Sequence, residues 1–361
     1  MKEVAEVNKV ENKRESNIEL YRIVLMLLII AHHYVLNSGL IEVMYENPLS
    51  GKSIFLFLFG AWGKIGINCF LLITGYFMCK SKITVKKFLK LLLEVEFYKI
   101  VIYGIFCITG VTSFGIKSFT KAILPVISVA QNFTGCFLLF YLFIPYINKL
   151  IENLDKKEFG KLILLMFFIY SVLGNVPKFN IVMNYITLYL FIYFIGAYIR
   201  LYPMNWFFNK KAINLITLGL IVACMCSVIC CLFISEKVDK QMAYFFVTDS
   251  NKILAVLTSI SLFLFFKNFN IKYNKVINIV ATSIFGVLLI HANSDVMRNF
   301  LWVTVLDNVG MYDSNYLYVH AILSTIGVFI ICTLIDQIRI KFIEKPFFEK
   351  VVDKRLEKIE K

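Results

Sequence analysis

An acidic residue, an arginine and two adjacent histidines interrupt the otherwise apolar stretch ELYRIVLMLLIIAHHYV at residues 19–35. A helix advances about 100° per residue, so Arg22 and His33, eleven positions apart, lie within about 20° of one face and about 16 Å apart along the axis. Glu19 lies about 60° from Arg22 on this projection, whereas His32 points about 80° away. Glu19, Arg22 and His33 therefore form one polar stripe along a single helix.

The chemistry available to this stripe is proton transfer and the binding of electron-rich oxygens. Imidazole titrates near neutral pH and can serve as a general base, and guanidinium offers a planar set of donors for phosphate or carbonyl oxygen. An ionisable side chain inside a membrane costs on the order of a few kcal/mol unless it faces a partner or a cavity. We therefore predict a functional cavity lined by Arg22 and His33. The alternative is a Glu19–Arg22 pair that reaches the headgroups, with His33 in the core.

The elements that must position this stripe are membrane-spanning helices. Of the 361 residues, 59% are hydrophobic and 17% are charged, which is too apolar for a soluble fold of this length. Apolar runs long enough to cross about 30 Å of hydrocarbon recur along the chain, without the alternation of a membrane β-barrel. The segment 52–59 is too short to cross and is expected at an interface. We predict an all-α, polytopic integral membrane protein with about ten transmembrane helices, near residues 18–38, 60–79, 88–110, 130–148, 161–177, 182–200, 212–235, 252–267, 276–293 and 316–338.

The distribution of Lys and Arg predicts the orientation of these helices. With the N-terminus inside, the inner segments carry 27 Lys or Arg residues and the outer segments carry 9. Because cytoplasmic loops are enriched in these residues, we expect both termini in the cytoplasm. Residues 1–17 would form a polar tail without the pattern of a cleavable signal peptide, residues 18–338 the transmembrane domain and residues 339–361 a basic tail. The net charge of +14 then reflects orientation, and no nucleic-acid partner is expected.

Several segments resemble the acyltransferase-3 family of membrane O-acyltransferases. The Arg22 and His33 spacing in the first span, with an acidic residue three positions before the arginine, is similar to the family's first-span signature. GINCFLLITGYFM (66–78) resembles a second-span segment that ends in Ser-Gly-Phe/Tyr, and KKFLKLLLEVEFY (86–98) resembles the basic start of the third span, with lysines in place of an Arg-x-x-Arg pair. Four later segments follow in the family's order: FLLFYLFIPYINKL (137–150), YFIGAYIR (193–200), TSIFGVLLIH (282–291) and IEKPFF (343–348).

The resemblance implies a multi-pass enzyme of the cell membrane that transfers an acyl group, most often acetyl, from cytoplasmic acyl-CoA to a hydroxyl of a surface glycan. Acetyl-CoA would be a donor substrate and not a tightly bound cofactor. The attacking hydroxyl must lose its proton, so the reaction requires a base that works near neutral pH. His33 is the expected base, with Arg22 and Glu19 as further catalytic residues. Transfer through an acylated His33 is the alternative.

Donor binding is expected at the cytoplasmic ends of the helices. The candidates for contact with the anionic nucleotide are Arg22 and the basic-loop residues Lys86, Lys87 and Lys90. The enrichment of lysine in cytoplasmic loops would also place these lysines here without any ligand. A lysine, moreover, does not bind phosphate in the bidentate manner of arginine.

Two further groups are candidates for substrate binding. Thr74, Gly75 and Tyr76 combine a hydroxyl with a residue that permits close helix approach, which suits either substrate positioning or helix packing. His291 ends the ninth predicted span on its outer side and His320 begins the tenth; both can bind acceptor or lie as ordinary polar residues at the boundary. The spacing of the histidines does not match a metal site, and the chemistry needs no metal.

Three other functions remain open from the sequence, and one of them is a sensor or enzyme-associated membrane module that lacks catalysis. An exporter or flippase of polysaccharide or lipid-linked sugar would use intramembrane charges for gating or proton coupling, although no internal repeat is evident. Within the enzyme class, an O-succinyltransferase of an exopolysaccharide would use a different acyl donor. The sequence does not specify the acceptor, and a homo-oligomer or a separate extracytoplasmic partner is compatible with the resemblance.

Overall fold

The fold is helical throughout the part of the chain that the computed structural model describes, residues 15–124, 133–176, 181, 184–238, 240–247 and 249–352. No strand occurs in these ranges; residues 1–14 of the predicted N-terminal tail and 353–361 of the predicted C-terminal tail lie outside them. Short 3₁₀ or π-helical turns (Phe167–Val172, Leu173–Asn175, Asn205–Phe208, Phe300–Val305, Ile340–Glu344 and Phe348–Val352) extend or join the helices. The α-helices are α1 (Ser16–Leu36), α2 (Leu40–Glu46), α3 (Gly51–Gly60), α4 (Gly63–Met78), α5 (Val85–Ile108), α6 (Ile116–Ile123), α7 (Phe133–Glu152), α8 (Lys156–Met166), α9 (Tyr185–Leu201), α10 (Lys210–Val238), α11 (Ile253–Lys267), α12 (Lys275–Ala281), α13 (Ile284–His291), α14 (Asp295–Asn299), α15 (Leu317–Arg339) and α16 (Lys345–Phe347).

The all-α prediction is confirmed, and several helices are suited to crossing a membrane. Within the described ranges, six helices are long and apolar enough to span: Ser16–Leu36, Gly51–Met78, Phe133–Glu152, Lys156–Asn175, Lys210–Val238 and Leu317–Val352. The pair Lys275–His291 and Asp295–Val305, bent by 93°, would make a seventh, and Tyr185–Leu201 and Ile253–Lys267 are shorter apolar helices. The count of ten spans and the cytoplasmic termini remain predictions.

Residues 52–59, expected at an interface, continue into a longer apolar helix. They form most of α3, which begins after Ser50, whose side-chain oxygen accepts a hydrogen bond from the Ser53 N–H at 3.1 Å. Helix α3 and helix α4 together form one apolar helix of 28 residues, and α3 packs against α1. The short apolar run is thus the first part of a longer helix.

Helix α1, which carries the polar stripe, lies at the centre of the fold. It contacts α3, α4, α11, α12, α13 and α15. Leu25 and Tyr34 on this helix are fully buried, and the Tyr21 ring stacks on Phe266 of α11 with 4.4 Å between centroids. A helix surrounded on so many sides keeps accessible surface only where its neighbours leave a gap.

Six helices of the described chain form a closed ring in which each contacts the next, in the order α1, α4, α9, α7, α5 and α13. The closest junction joins α4 to α9, where Gly75 and Gly196 face each other. A Cβ atom on Gly75 would collide with the backbone carbonyl of Tyr193, and one on Gly196 would collide with that of Leu72. Small residues allow such close backbone approach in membrane helices, so Gly75 occupies a helix-packing position.

Candidate functional site

A chain of hydrogen bonds joins the histidine of the stripe to a second histidine at the end of α13. The Nδ1 atom of His33 lies 3.0 Å from Nε2 of His291, and Nδ1 of His291 lies 2.6 Å from the Val287 carbonyl oxygen. A carbonyl oxygen only accepts hydrogen bonds, so neutral His291 carries its proton on Nδ1 and accepts through Nε2. His33 must then donate from Nδ1. This assignment, inferred from the hydrogen-bond partners, leaves Nε2 of neutral His33 unprotonated.

The position of His291 depends on how α13 packs against α15. A Cβ atom on Gly286 would collide with the Asp336 carboxylate, so glycine lets the two helices approach closely. The Gln337 amide donates to the Thr282 and Ser283 hydroxyls, at 2.9 and 2.7 Å, in the break between α12 and α13. These contacts fix the position of α13 along its axis and therefore the residue of α1 that His291 contacts.

The two histidines of the pair differ in exposure. His291 is fully buried, and both of its ring nitrogens have protein partners, which leaves no ring nitrogen for an acceptor sugar. His33 keeps some accessible surface. Two cations, Lys64 and Arg298, are close enough to act on His33 electrostatically. The accessible nitrogen of the pair is therefore that of His33.

Arg22 forms an ion pair with Glu19, with 3.5 Å between Nη1 and Oε2, as the structural alternative in the sequence analysis anticipates. The Arg22 side chain is nevertheless 35% exposed, and its Nε atom is buried without a hydrogen-bond partner among the described residues. The pair therefore leaves part of the guanidinium available for a ligand.

Arg22 and His33 lie on one face of α1, between its contacts with α4 and α15. Helix α4 lies against Leu25 and Ile29, which Gly66 approaches closely, and α15 meets α1 at Tyr34, whose hydroxyl is 2.8 Å from the His320 ring. On the helical projection Arg22 and His33 lie about 60° and 80° from Leu25, between these two contacts. The contact between His33 and His291 of α13 lies on this same face of α1.

The other two histidines belong to separate contacts. His32 donates from Nδ1 to the Gly60 carbonyl at 2.6 Å, and its ring fills the space beside Gly63. His320 bonds to Tyr34 and lies 3.3 Å from the Ser324 hydroxyl. The structure thus brings His33 and His291 together and places His320 on another side of α1.

The predicted substrate segment of α4 lies away from the histidine pair. The Thr74 hydroxyl donates to the Phe70 carbonyl of its own helix at 2.9 Å. The Tyr76 hydroxyl accepts a hydrogen bond from Nη1 of Arg200 at 2.9 Å. Tyr76 therefore orients an arginine that the sequence analysis did not single out.

The basic-loop lysines lie at the start of α5. Lys86 and Lys87 are exposed, and the Lys87 ammonium donates to the Lys82 carbonyl at 2.9 Å. The Lys90 ammonium instead lies 2.6 Å from Oε1 of Glu344, so this lysine is already paired. Of the three predicted lysines, Lys90 is thus the one with a carboxylate partner among the contacts described here.

A buried ionic cluster near the end of α15 is the largest feature that the sequence analysis missed. The guanidinium of Arg339 contacts Asp336, Glu344 and Glu94, at 2.8, 2.7 and 2.9 Å. The Tyr98 hydroxyl donates to Asp336 at 2.7 Å. The i,i+3 spacing of Asp336 and Arg339 was a visible signal, but it did not reveal the partners on α5.

The C-terminal end of α1 lies beside a polar pocket of about 300 Å³, lined by Leu36, Asn37, Asp295, Arg298 and Asn299. Arg298 forms an ion pair with Asp295 and, as noted above, acts electrostatically on His33. Amide and charged side chains of this kind are suited to a polar ligand. No cluster of three or more potential metal ligands occurs in the described ranges.

The fold and this site define a polytopic helical membrane protein with a hydrogen-bonded histidine pair beside its central helix. A family model described as an acyltransferase domain, that of the acyltransferase-3 family, matches residues 15–336. The chain therefore belongs to the acyltransferase-3 family, which makes it a membrane acyltransferase in general terms. No curated protein and no solved structure matches it.

Proposed function

We propose that this protein transfers an acyl group, most simply acetyl, from cytoplasmic acyl-CoA to a hydroxyl of a glycan at the outer face of the cell membrane. In this proposal ten helices cross the membrane and both termini lie in the cytoplasm. The observation that carries the proposal is the series Val287–His291–His33, because it leaves an accessible, unprotonated nitrogen on His33. A proton acceptor of this kind is what an attacking hydroxyl requires.

The reaction proceeds by proton transfer to His33 and attack on the thioester. Nε2 of His33 takes the proton of the acceptor hydroxyl as its oxygen bonds to the thioester carbonyl carbon. The carbon–sulfur bond then breaks, and the departing thiolate receives that proton from the imidazolium. His291 accepts the Nδ1 hydrogen bond of His33 throughout and so holds the ring in the tautomer that the reaction uses. His291 thus positions His33 and does not itself bind the acceptor. An acyl-His33 relay would use the same Nε2 atom.

The two ends of the polar stripe are proposed to bind the two ends of acyl-CoA. Arg22 lies about 16 Å from His33 along α1 and is proposed to hold a phosphate or carbonyl oxygen of acyl-CoA, with Glu19 fixing its guanidinium. Lys86 and Lys87 would attract the anionic nucleotide from the cytoplasm. The thioester, at the far end of the flexible arm of CoA, would then reach His33.

The acceptor is proposed to approach from the outer pocket beside Asn37 and Arg298. Its polar lining suits the hydroxyls of a sugar, and Arg298 connects it electrostatically to the histidine pair. This placement puts donor and acceptor on opposite sides of His33.

A vectorial transfer assay tests the function. Purified protein is reconstituted into vesicles with acyl-labelled acetyl-CoA sealed inside and an oligosaccharide acceptor outside. We expect label to appear on the external acceptor. An exporter or flippase would leave the label on CoA, and that result would reject the enzymatic proposal. Repeating the assay with succinyl-CoA identifies the acyl group.

Substitution of His291 separates its positioning role from simple packing. In His291→Gln the side-chain amide reaches the position of Nε2 and can still accept from His33, so kcat is expected to fall by no more than about tenfold. In His291→Asn the shorter side chain cannot reach, and we expect a loss of about 10²-fold or more with an unchanged KM for the donor. Steady-state kinetics of both variants provides the measurement. Equal losses in the two variants would contradict the positioning role.

A further inference from the structure

Two cations from separate helices converge on one aromatic ring in the cytoplasmic half of the protein. Nη1 of Arg200, in the last turn of α9, donates to the Tyr76 hydroxyl at 2.9 Å, and the guanidinium carbon lies 4.8 Å from the centroid of the Tyr76 ring. The Lys267 ammonium, at the end of α11, lies 5.7 Å from the same centroid and 4.7 Å from that of the Phe208 ring. Three helices thus meet at a cationic cluster consisting of Arg200, Lys267 and Tyr76.

Neither cation of the cluster has a carboxylate ion-pair partner in the part of the chain that the structure describes. Within the described ranges no Asp or Glu lies within 4 Å of Arg200 or Lys267, whereas Arg339 and Lys90 have such partners. Glu15 acts on Lys267 electrostatically from beyond ion-pair distance, and Arg200 opposes it as a like charge. Cation–π contact offsets part of this repulsion. A bound anion would offset it fully.

The hydroxyl of Tyr76 adds a donor to the cluster. It accepts its one hydrogen bond from Arg200, and its own hydrogen has no acceptor among the described residues. A phosphate group beside it would therefore meet a guanidinium that favours bidentate contact, an ammonium and a hydroxyl donor.

Close helix packing sets the position of this cluster. The Gly75–Gly196 crossing brings Tyr76 of α4 against the end of α9. Tyr21 stacks on Phe266, which places their sequence neighbours Arg22 and Lys267 at the same depth. The enrichment of cations on the cytoplasmic side explains their presence there, but not their convergence on one ring at the level of the stripe.

We propose that the cationic cluster of Arg200, Lys267 and Tyr76 binds the phosphate groups of the nucleotide of acyl-CoA. This inference rests on the proposed function and adds residues to the donor site that neither the stripe nor the basic loop contains. The same phosphate chemistry occurs in anionic lipid headgroups, so the experiment must distinguish the two sources.

Equilibrium binding of unacylated CoA to purified protein in nanodiscs is the direct test. We expect Arg200→Gln and Lys267→Gln each to weaken CoA binding by about tenfold or more, and Arg200→Lys to weaken it less because the charge is kept. Pantetheine, which lacks the nucleotide, should bind equally to all variants. Lys275→Gln, an exposed lysine at the start of α12, is the matched control and should bind CoA as wild type does. Circular dichroism and a monodisperse elution profile establish that each variant is folded.

The outcomes are distinguishable from failure of the proposed function. Wild-type affinity for CoA in both Gln variants would overturn the inference and leave the acyl-CoA reaction intact. Absence of CoA binding to the wild-type protein would overturn both. Native mass spectrometry tests lipid binding. If the variants lose bound phosphatidylglycerol while their CoA affinity is unchanged, the cluster binds lipid headgroups and the nucleotide assignment is wrong.

Discussion

Replacing His33 by alanine is expected to lower the rate of acyl transfer by about 10²–10⁴-fold, the usual contribution of a general base. The loss follows from removing the only ring nitrogen of the pair that is both unprotonated and accessible. Helical content and affinity for CoA should be unchanged, because the proposed phosphate site at the level of Arg22 lies about 16 Å away along α1. Transfer of label to the acceptor, measured with saturating donor, provides the rate.

The adjacent histidine offers a matched control for this prediction. His32 lies on another face of α1, and an asparagine amide can replace its Nδ1–H donor to Gly60. His32→Asn is therefore expected to keep transfer close to the wild-type rate. A His33→Ala protein that retains half of the wild-type rate would show that His33 is not the base.

Replacing Arg339 by methionine is expected to lower the free energy of unfolding by about 3–5 kcal/mol, the usual result of removing one partner from a buried ionic group. Arg339 is only 5% exposed. Its removal leaves the carboxylates of Glu94, Asp336 and Glu344 with Lys90 as their one remaining ion-pair partner among the described residues. Denaturant-induced unfolding in detergent, followed by fluorescence, measures the change.

Lys341 provides the comparison for this variant because it is exposed and two positions further along the chain. Lys341→Met should change the stability by less than about 0.5 kcal/mol, as surface substitutions usually do. Adding Glu94→Gln to Arg339→Met removes one uncompensated charge and should recover part of the loss. Equal stabilities of Arg339→Met and Lys341→Met would mean that the cluster does not stabilise the fold.

The sequence predicted the stripe on α1 because helical periodicity depends only on local spacing. Arg22 and His33 do lie on one face, and Glu19 does pair with Arg22. The sequence did not predict which distant histidine would reach His33, since His291 and His320 were both predicted near the outer ends of their spans. That choice depends on the break between α12 and α13 and on packing against α15, which are tertiary features.

Contacts between distant segments account for most of what the sequence left open. Glu94 and Arg339 are 245 positions apart, so periodicity within either helix cannot reveal that they pair. The family-like segment at Thr74–Tyr76 was correctly suspected of close packing at Gly75, but the partners of Tyr76 depend on how α9 and α11 approach α4. The bend of 93° before α14 likewise has no local signal in hydropathy.

The most direct measurement of the central claim is a cryo-EM structure of the protein with a non-hydrolysable acetyl-CoA analogue. We expect the analogue to extend along the stripe, with its acyl carbon beside Nε2 of His33 and its phosphates at the level of Arg22 and Lys267. An analogue bound elsewhere, or a His33 ring turned to lipid with no passage to the cytoplasmic end of α1, would contradict it.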